Sequence, residues 1–177
     1  MTMHELAERI RAASYTEGDF VLRSGRRSTF YIDKYLFETQ PEILAEVGRL
    51  LAGFADPATT RIAGAELGGV PIAAAASVAS GLPFVIVRNS KKEYGTGKMY
   101  EGRLEKGDRI LLVEDIATTG GQVLEAAKIL TEAGASVQRI VAVVDRGEGA
   151  AENIRDAGYE FSALLTAANL RLPGAKY

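Results

Sequence analysis

The chain has 177 residues, the size of a single domain, and its 47% hydrophobic content is enough for a real core and too high for disorder. Its 21 basic and 23 acidic residues leave a net charge of -2, so no overall basic field exists to hold a nucleic-acid duplex. With no cysteine, disulfides, thiolate metal sites and a cysteine nucleophile are excluded, and no apolar run is long enough to span a bilayer. Glu5 and Glu8 interrupt the apolar residues of the first segment, unlike a secretory leader. A cytoplasmic protein engaging neither membrane nor nucleic acid is expected.

In chain order, Leu6, Ile10 and Ala13 share one helical face, which predicts a short amphipathic helix. Two β-rich pieces, 20–22 and 29–32, flank Ser24-Gly25-Arg26 and predict a hairpin. Thr39 is expected to begin a helix, with Glu42 three residues on as in a capping box and Pro41 in the first turn. Ile43, Val47, Leu50, Leu51 and Phe54 give that helix its apolar stripe. From residue 62 the pattern becomes regular. Strands are expected at 62–65, 84–87, 110–113, 140–144 and 161–165, and helices at 72–80, 123–133 and 150–157, each helix closed by a glycine. Continuously apolar strands alternating with helices predict an α/β fold with a parallel sheet and helices on both faces. Segment 89–106, rich in glycine and charge, is the one irregular stretch, and such segments usually carry function.

The chemistry concentrates in the segment 114–122, Glu-Asp-Ile-Ala-Thr-Thr-Gly-Gly-Gln, which follows the strand at 110–113 and precedes a helix. Ligands of open α/β sheets bind beyond the carboxyl ends of the strands. Thr118, Thr119, Gly120 and Gly121 suit a phosphate cradle of backbone N–H groups, helped by the positive end of the helix that opens near Gln122. Glu114 and Asp115 are acceptors matched to two ribose hydroxyls. A P-loop would need lysine where Gln122 stands, and no G-x-G-x-x-G run follows a strand. A phosphorylated ribose fits best. The lone histidine, His4, lies near the terminus, so no histidine-based metal site is expected.

The string 114–122 resembles the phosphoribosyl-diphosphate signature of the type I phosphoribosyltransferases. Ser24-Gly25-Arg26-Arg27-Ser28-Thr29-Phe30-Tyr31-Ile32-Asp33 is similar to the hood hairpin of the orotate phosphoribosyltransferases, and Val87-Arg88-Asn89-Ser90-Lys91-Lys92-Glu93-Tyr94-Gly95 to their mobile loop. Gly68-Gly69-Val70-Pro71 and Asp145-Arg146 extend the likeness over nearly the whole chain. The resemblance implies one domain, with a hood at 1–38 and the core mainly at 39–177. It implies that Arg88, Lys91, Lys92, Tyr94, Gly68, Gly69 and the segment Glu114, Asp115, Ile116, Ala117, Thr118, Thr119, Gly120, Gly121 and Gln122 bind phosphoribosyl diphosphate. Orotate would meet Thr118, Arg146, Tyr31, Lys34 and Arg23. Lys92, Glu114 and Asp115 would serve catalysis. Magnesium (Mg2+), held mainly through substrate and water, is implied, as is a homodimer whose loop 89–102 reaches the neighbouring site. Asn89, Tyr94 and Arg23 depart from the basic residue, histidine and lysine common at these places in the family. A purine-specific transferase, or a regulator that keeps the sugar-phosphate site without catalysis, are the competing readings.

Overall fold

The computed structural model describes residues 1–21, 25, 27–90 and 98–175. The chain opens with helix α1 (Met3–Ser14), started by a capping box in which Thr2 and Glu5 satisfy each other's backbone N–H groups. Strands β1 (Tyr15–Val21) and β2 (Arg27–Ile32) then pair antiparallel as a separate two-stranded sheet. Two helices follow, α2 (Lys34–Glu38) and α3 (Pro41–Ala52). The main body is β3 (Arg61–Ala65), α4 (Gly69–Ser80), β4 (Phe84–Val87), β5 (Tyr100–Glu101), β6 (Arg109–Ala117), α5 (Gly121–Glu132), β7 (Ser136–Asp145), α6 (Ala150–Asp156) and β8 (Glu160–Thr166).

The six-stranded sheet runs β5-β4-β3-β6-β7-β8, parallel except for the short edge strand β5. Its strands send alternate side chains to two cores, as the two-residue period requires. Ile62, Leu111, Val113 and Val141 pack with Leu6, Ile10, Val47, Leu51, Ile72 and Ala76, so α1, α3 and α4 cover one face. Ala63, Ile110, Leu112 and Ile140 pack with Val123, Ala127, Leu130 and Ile154, so α5 and α6 cover the other. The expected parallel sheet with helices on both faces is what forms.

Three local expectations are corrected. Thr39 does not cap α3. It is the C-cap of the unexpected α2, and its hydroxyl donates to Tyr35 O at 2.7 Å. Gln40 takes the N-cap of α3 without a side-chain bond, and Pro41 begins the helix. Strand β6 runs on to Ala117, because its ladder with β7 continues through Ala117 opposite Asp145, so both carboxylates lie on a strand and the loop shrinks to 118–120. Inside 89–106, β5 pairs with the end of β4.

Asp108 locks the amino-terminal edge of the sheet. Its carboxylate accepts from Arg61 Nε at 2.5 Å, Glu105 N at 2.7 Å and Thr60 Oγ1 at 2.8 Å. Burial alone would raise its pKa, but Arg61 and these other donors hold it below the ordinary value. Asp108→Ala should therefore cost about 3 kcal/mol in urea unfolding at neutral pH, since it strands a nearly buried guanidinium. A depressed carboxyl stabilises the fold above its unfolded pKa, and this contribution should fade as the pH falls below about 4.

Candidate active site

Sheet connectivity decides where the site lies. From β3 the chain crosses through α4 to β4 on one side, and from β6 it crosses through α5 to β7 on the other. Strands β3 and β6 pair only up to Gly64 and Val113. Beyond that point they part, and the first turns of α4 and α5 stand on opposite faces of the crevice. This reversal of winding is where open α/β sheets bind ligands.

Glu114 and Asp115 are the next two residues of β6 after the split, so they point to opposite faces. Both are buried, and Glu114 Oε2 and Asp115 Oδ2 have no hydrogen-bond partner among the described residues. Burial, then the Asp115 charge, pushes Glu114 well above the usual carboxylate range. Lys34 reaches over from α2 and sets Nζ 2.5 Å from Asp115 Oδ2, an ion contact without the alignment of a hydrogen bond. Burial opposes the lysine charge, but Asp115 outweighs it and holds Lys34 above its ordinary pKa. Gly68, in the turn before α4, closes the other side: a Cβ there would overlap Asp115 Oδ2.

The loop 118–120 is braced from behind by α6. Thr118 O accepts from Ala150 N at 3.0 Å, and Thr119 O accepts from Asn153 Nδ2 at 2.8 Å. With these carbonyls turned outward, the N–H groups of Thr118, Thr119 and Gly120 are left without an acceptor among the described residues. Lys34, Glu114, Asp115 and the segment 116–123 line a cavity of about 230 Å³. The result is a pocket with orphaned acceptors on the strand, orphaned donors in the loop and one cation between them. A wider groove of about 500 Å³ lies between α1 and the start of α3, but there the two charged side chains, Arg9 and Glu42, are already paired with each other.

The pocket thus gathers Lys34 and every expected residue from Glu114 to Gln122, with Gly68 against Asp115. Gly69 begins α4 beside it. Arg146 stands at the end of β7, where its N–H donates to Ala117 O at 2.9 Å, its guanidinium lies 5.4 Å over the Phe30 ring, and Glu148 pairs with it at 2.8 Å. Tyr31 is on β2, 46% exposed, with its ring against Phe20. Arg88 is not brought into the pocket: it contacts Glu101 across β4 and β5 and lines a neighbouring cavity with Asn89, Met99 and Gln122. Arg23, Lys91, Lys92 and Tyr94 lie outside the described residues.

Two residues, Glu66 and Glu38, escaped the sequence reading. Glu66 accepts from Asn89 N at 2.7 Å, and its backbone carbonyl accepts from Asn89 Nδ2 and Gln122 Nε2, each at 2.9 Å. Asn89 thus ties the end of β4 to the turn before α4. Glu38 is buried behind Asp115. Its spacing of four from Lys34 looks like an exposed helical ion pair, and only α2, which the sequence does not predict, explains why it turns inward.

Residues 37–158 match the family model described as "Phosphoribosyl transferase domain", which sets the class of protein. A curated orotate phosphoribosyltransferase of Halobacterium salinarum is 47% identical over 94% of this chain and 95% of that protein. One of Methanocella arvoryzae is 44% identical with the same coverage. The crystal structure of the Mycobacterium tuberculosis orotate phosphoribosyltransferase, in complex with 5-phospho-alpha-D-ribosyl 1-diphosphate, superposes with a TM-score of 0.81 at 34% identity, covering 96% of this chain and 99% of that one. The chain belongs to the orotate phosphoribosyltransferase family, within the type I phosphoribosyltransferases.

Proposed function

We propose that the protein transfers the phosphoribosyl group of 5-phospho-α-D-ribose 1-diphosphate to orotate, giving orotidine 5′-monophosphate and diphosphate in pyrimidine synthesis. The observation that carries this reading is the meeting of two buried carboxylates on β6, each with an oxygen that accepts no hydrogen bond among the described residues, with the donor-rich loop 118–120 at the switch point of the sheet. The loop N–H groups and the first turn of α5 hold the 5-phosphate. Glu114 and Asp115 accept the ribose hydroxyls and stabilise positive charge on the sugar as the bond to diphosphate breaks. Gly68 and Gly69 let backbone approach the diphosphate, Arg88 and Lys91 add charge, Tyr94 donates to phosphate, and Lys92 meets the leaving group as its charge grows. Orotate lies between Thr118 and the hood (residues 1–38, with 39–177 as the core). There Tyr31, Lys34 and Arg23 face the base, and Arg146 pairs with the ring carboxylate. Its ring nitrogen attacks the anomeric carbon as diphosphate leaves.

Among the described residues no group of three acidic or histidine side chains is arranged to hold a metal ion. Magnesium would therefore take its oxygens from diphosphate, ribose and water, and it supplies charge neutralisation of the leaving group. The family pattern supports a homodimer with loop 89–102 crossing to the partner, and a cytoplasmic enzyme. Among the described residues no helix is long and apolar enough to cross a membrane.

Loss of orotate absorbance on mixing with phosphoribosyl diphosphate and magnesium tests the reading, and turnover with a purine base instead of orotate would overturn it. Arg146→Ala should raise the KM for orotate at least about tenfold, the worth of one charge-assisted contact. The KM for phosphoribosyl diphosphate should stay nearly unchanged. Equal effects on both substrates would remove Arg146 from the base.

A further inference from the structure

Glu38 closes α2 and is 1% exposed. Neither of its side-chain oxygens has a hydrogen-bond partner among the described residues, and the same is true of Asp115 Oδ2. The charged groups facing it are Asp33 and Lys34 from its own end of the fold and Asp115 on β6, with Glu114 next to Asp115. Helix α4 brings no titratable side chain to this face. Helices α1 and α3 commit their charges elsewhere: Arg9 to Glu42, Arg49 to Glu46 and Arg11 to the Leu170 carbonyl. Among the described residues one lysine thus stands against three buried carboxyls, and its Nζ is already at Asp115. Buried carboxylates that close together do not all ionise. A proton placed between Glu38 and Asp115 turns orphaned acceptors into a donor–acceptor pair.

We propose that Glu38 is a positioning residue that carries this proton, donates it to Asp115, and fixes the orientation in which Asp115 accepts a ribose hydroxyl. The proposal rests on the reading of Asp115 as a ribose acceptor. Burial first, and the Asp115 charge second, push Glu38 up to about 8, so the proton is present at neutral pH. The sign follows. A carboxyl raised in the folded state stabilises the protein fully below its unfolded value near 4.5 and loses that contribution as the pH rises to about 8.

The experiment compares the wild type, Glu38→Gln and Glu38→Leu in steady-state kinetics and in urea unfolding across pH. Glutamine still donates, so at pH 7 its KM for phosphoribosyl diphosphate should stay within about threefold of wild type; leucine should raise it about tenfold with little change in the KM for orotate. The wild-type KM should climb as the pH passes about 8, a climb Glu38→Gln should lack. Between pH 4.5 and 8 the ligand-free stability of Glu38→Gln should also fall less steeply than that of wild type. A glutamine variant as impaired as leucine at pH 7, or identical stability slopes, overturns the shared proton. If Glu38→Leu does not fold, the two glutamine profiles alone decide. A changed stability slope with an unchanged KM in both Glu38→Leu and Asp115→Asn would instead remove the ribose reading, and the positioning role with it.

Discussion

Gly68→Ala should lower kcat/KM for phosphoribosyl diphosphate by about 100-fold, some 2.7 kcal/mol of transition-state stabilisation. The added methyl has nowhere to go: it would overlap Asp115 Oδ2 and lie 3.0 Å from Lys34 Nζ. Gly68 sits at φ -67°, so the backbone itself accepts alanine without strain. The cost therefore falls on the carboxylate, which must turn away from the sugar, and not on the fold. The check is steady-state kinetics beside urea unfolding. A large loss of activity with an almost unmoved unfolding midpoint is expected, and unchanged kinetics would place the sugar elsewhere.

Gly64→Ala should do the reverse and strike stability, by about 3 kcal/mol, at the upper end for overpacking. Gly64 is fully enclosed in β3, where the amino end of α4 lies on the strand. A Cβ there would overlap Gly69 O and sit 2.7 Å from Gly69 C and 2.9 Å from Ala73 Cβ. Backbone cannot rotate away as a side chain can, so α4 must lift off the sheet. For a chain of this size the loss corresponds to a fall in Tm of roughly 9 °C, readable by calorimetry. Because α4 begins at the turn holding Gly68, the surviving folded fraction should also bind phosphoribosyl diphosphate more weakly. A Tm within a degree of wild type would show that α4 is not seated on β3 so closely.

Most of the architecture was legible because apolar periodicity carries it. The five expected parallel strands all form, and the central pair β6 and β7 is the clearest, because the apolar runs 110–113 and 140–144 are buried on both faces. What was illegible depended on polar residues whose partners lie far off in sequence. Glu114 and Asp115 read as a strand end followed by a loop, since two carboxylates look like an exit from the core. Only the ladder with β7 shows that the strand continues. Helix α2 was missed because five residues give too little periodicity, and its cap competes with the Thr39–Glu42 pattern that resembles a helix start. With α2 unseen, Lys34 was legible only through family likeness, and Glu38 not at all. Asn89 looked like a lost cation, whereas its amide anchors the turn before α4 through Glu66.

The carboxyls at 38, 114 and 115 share a consequence for any attempt to make the protein hardier. Each lies where an apolar or amide side chain would suit the fold better than an acid, because the interior has too few donors for them. Selection for heat tolerance and selection for turnover therefore pull against each other at these three positions. Stabilising changes that spare activity belong far from the crevice, for instance at Val78, which leaves a large apolar side chain 87% exposed on the outer side of α4.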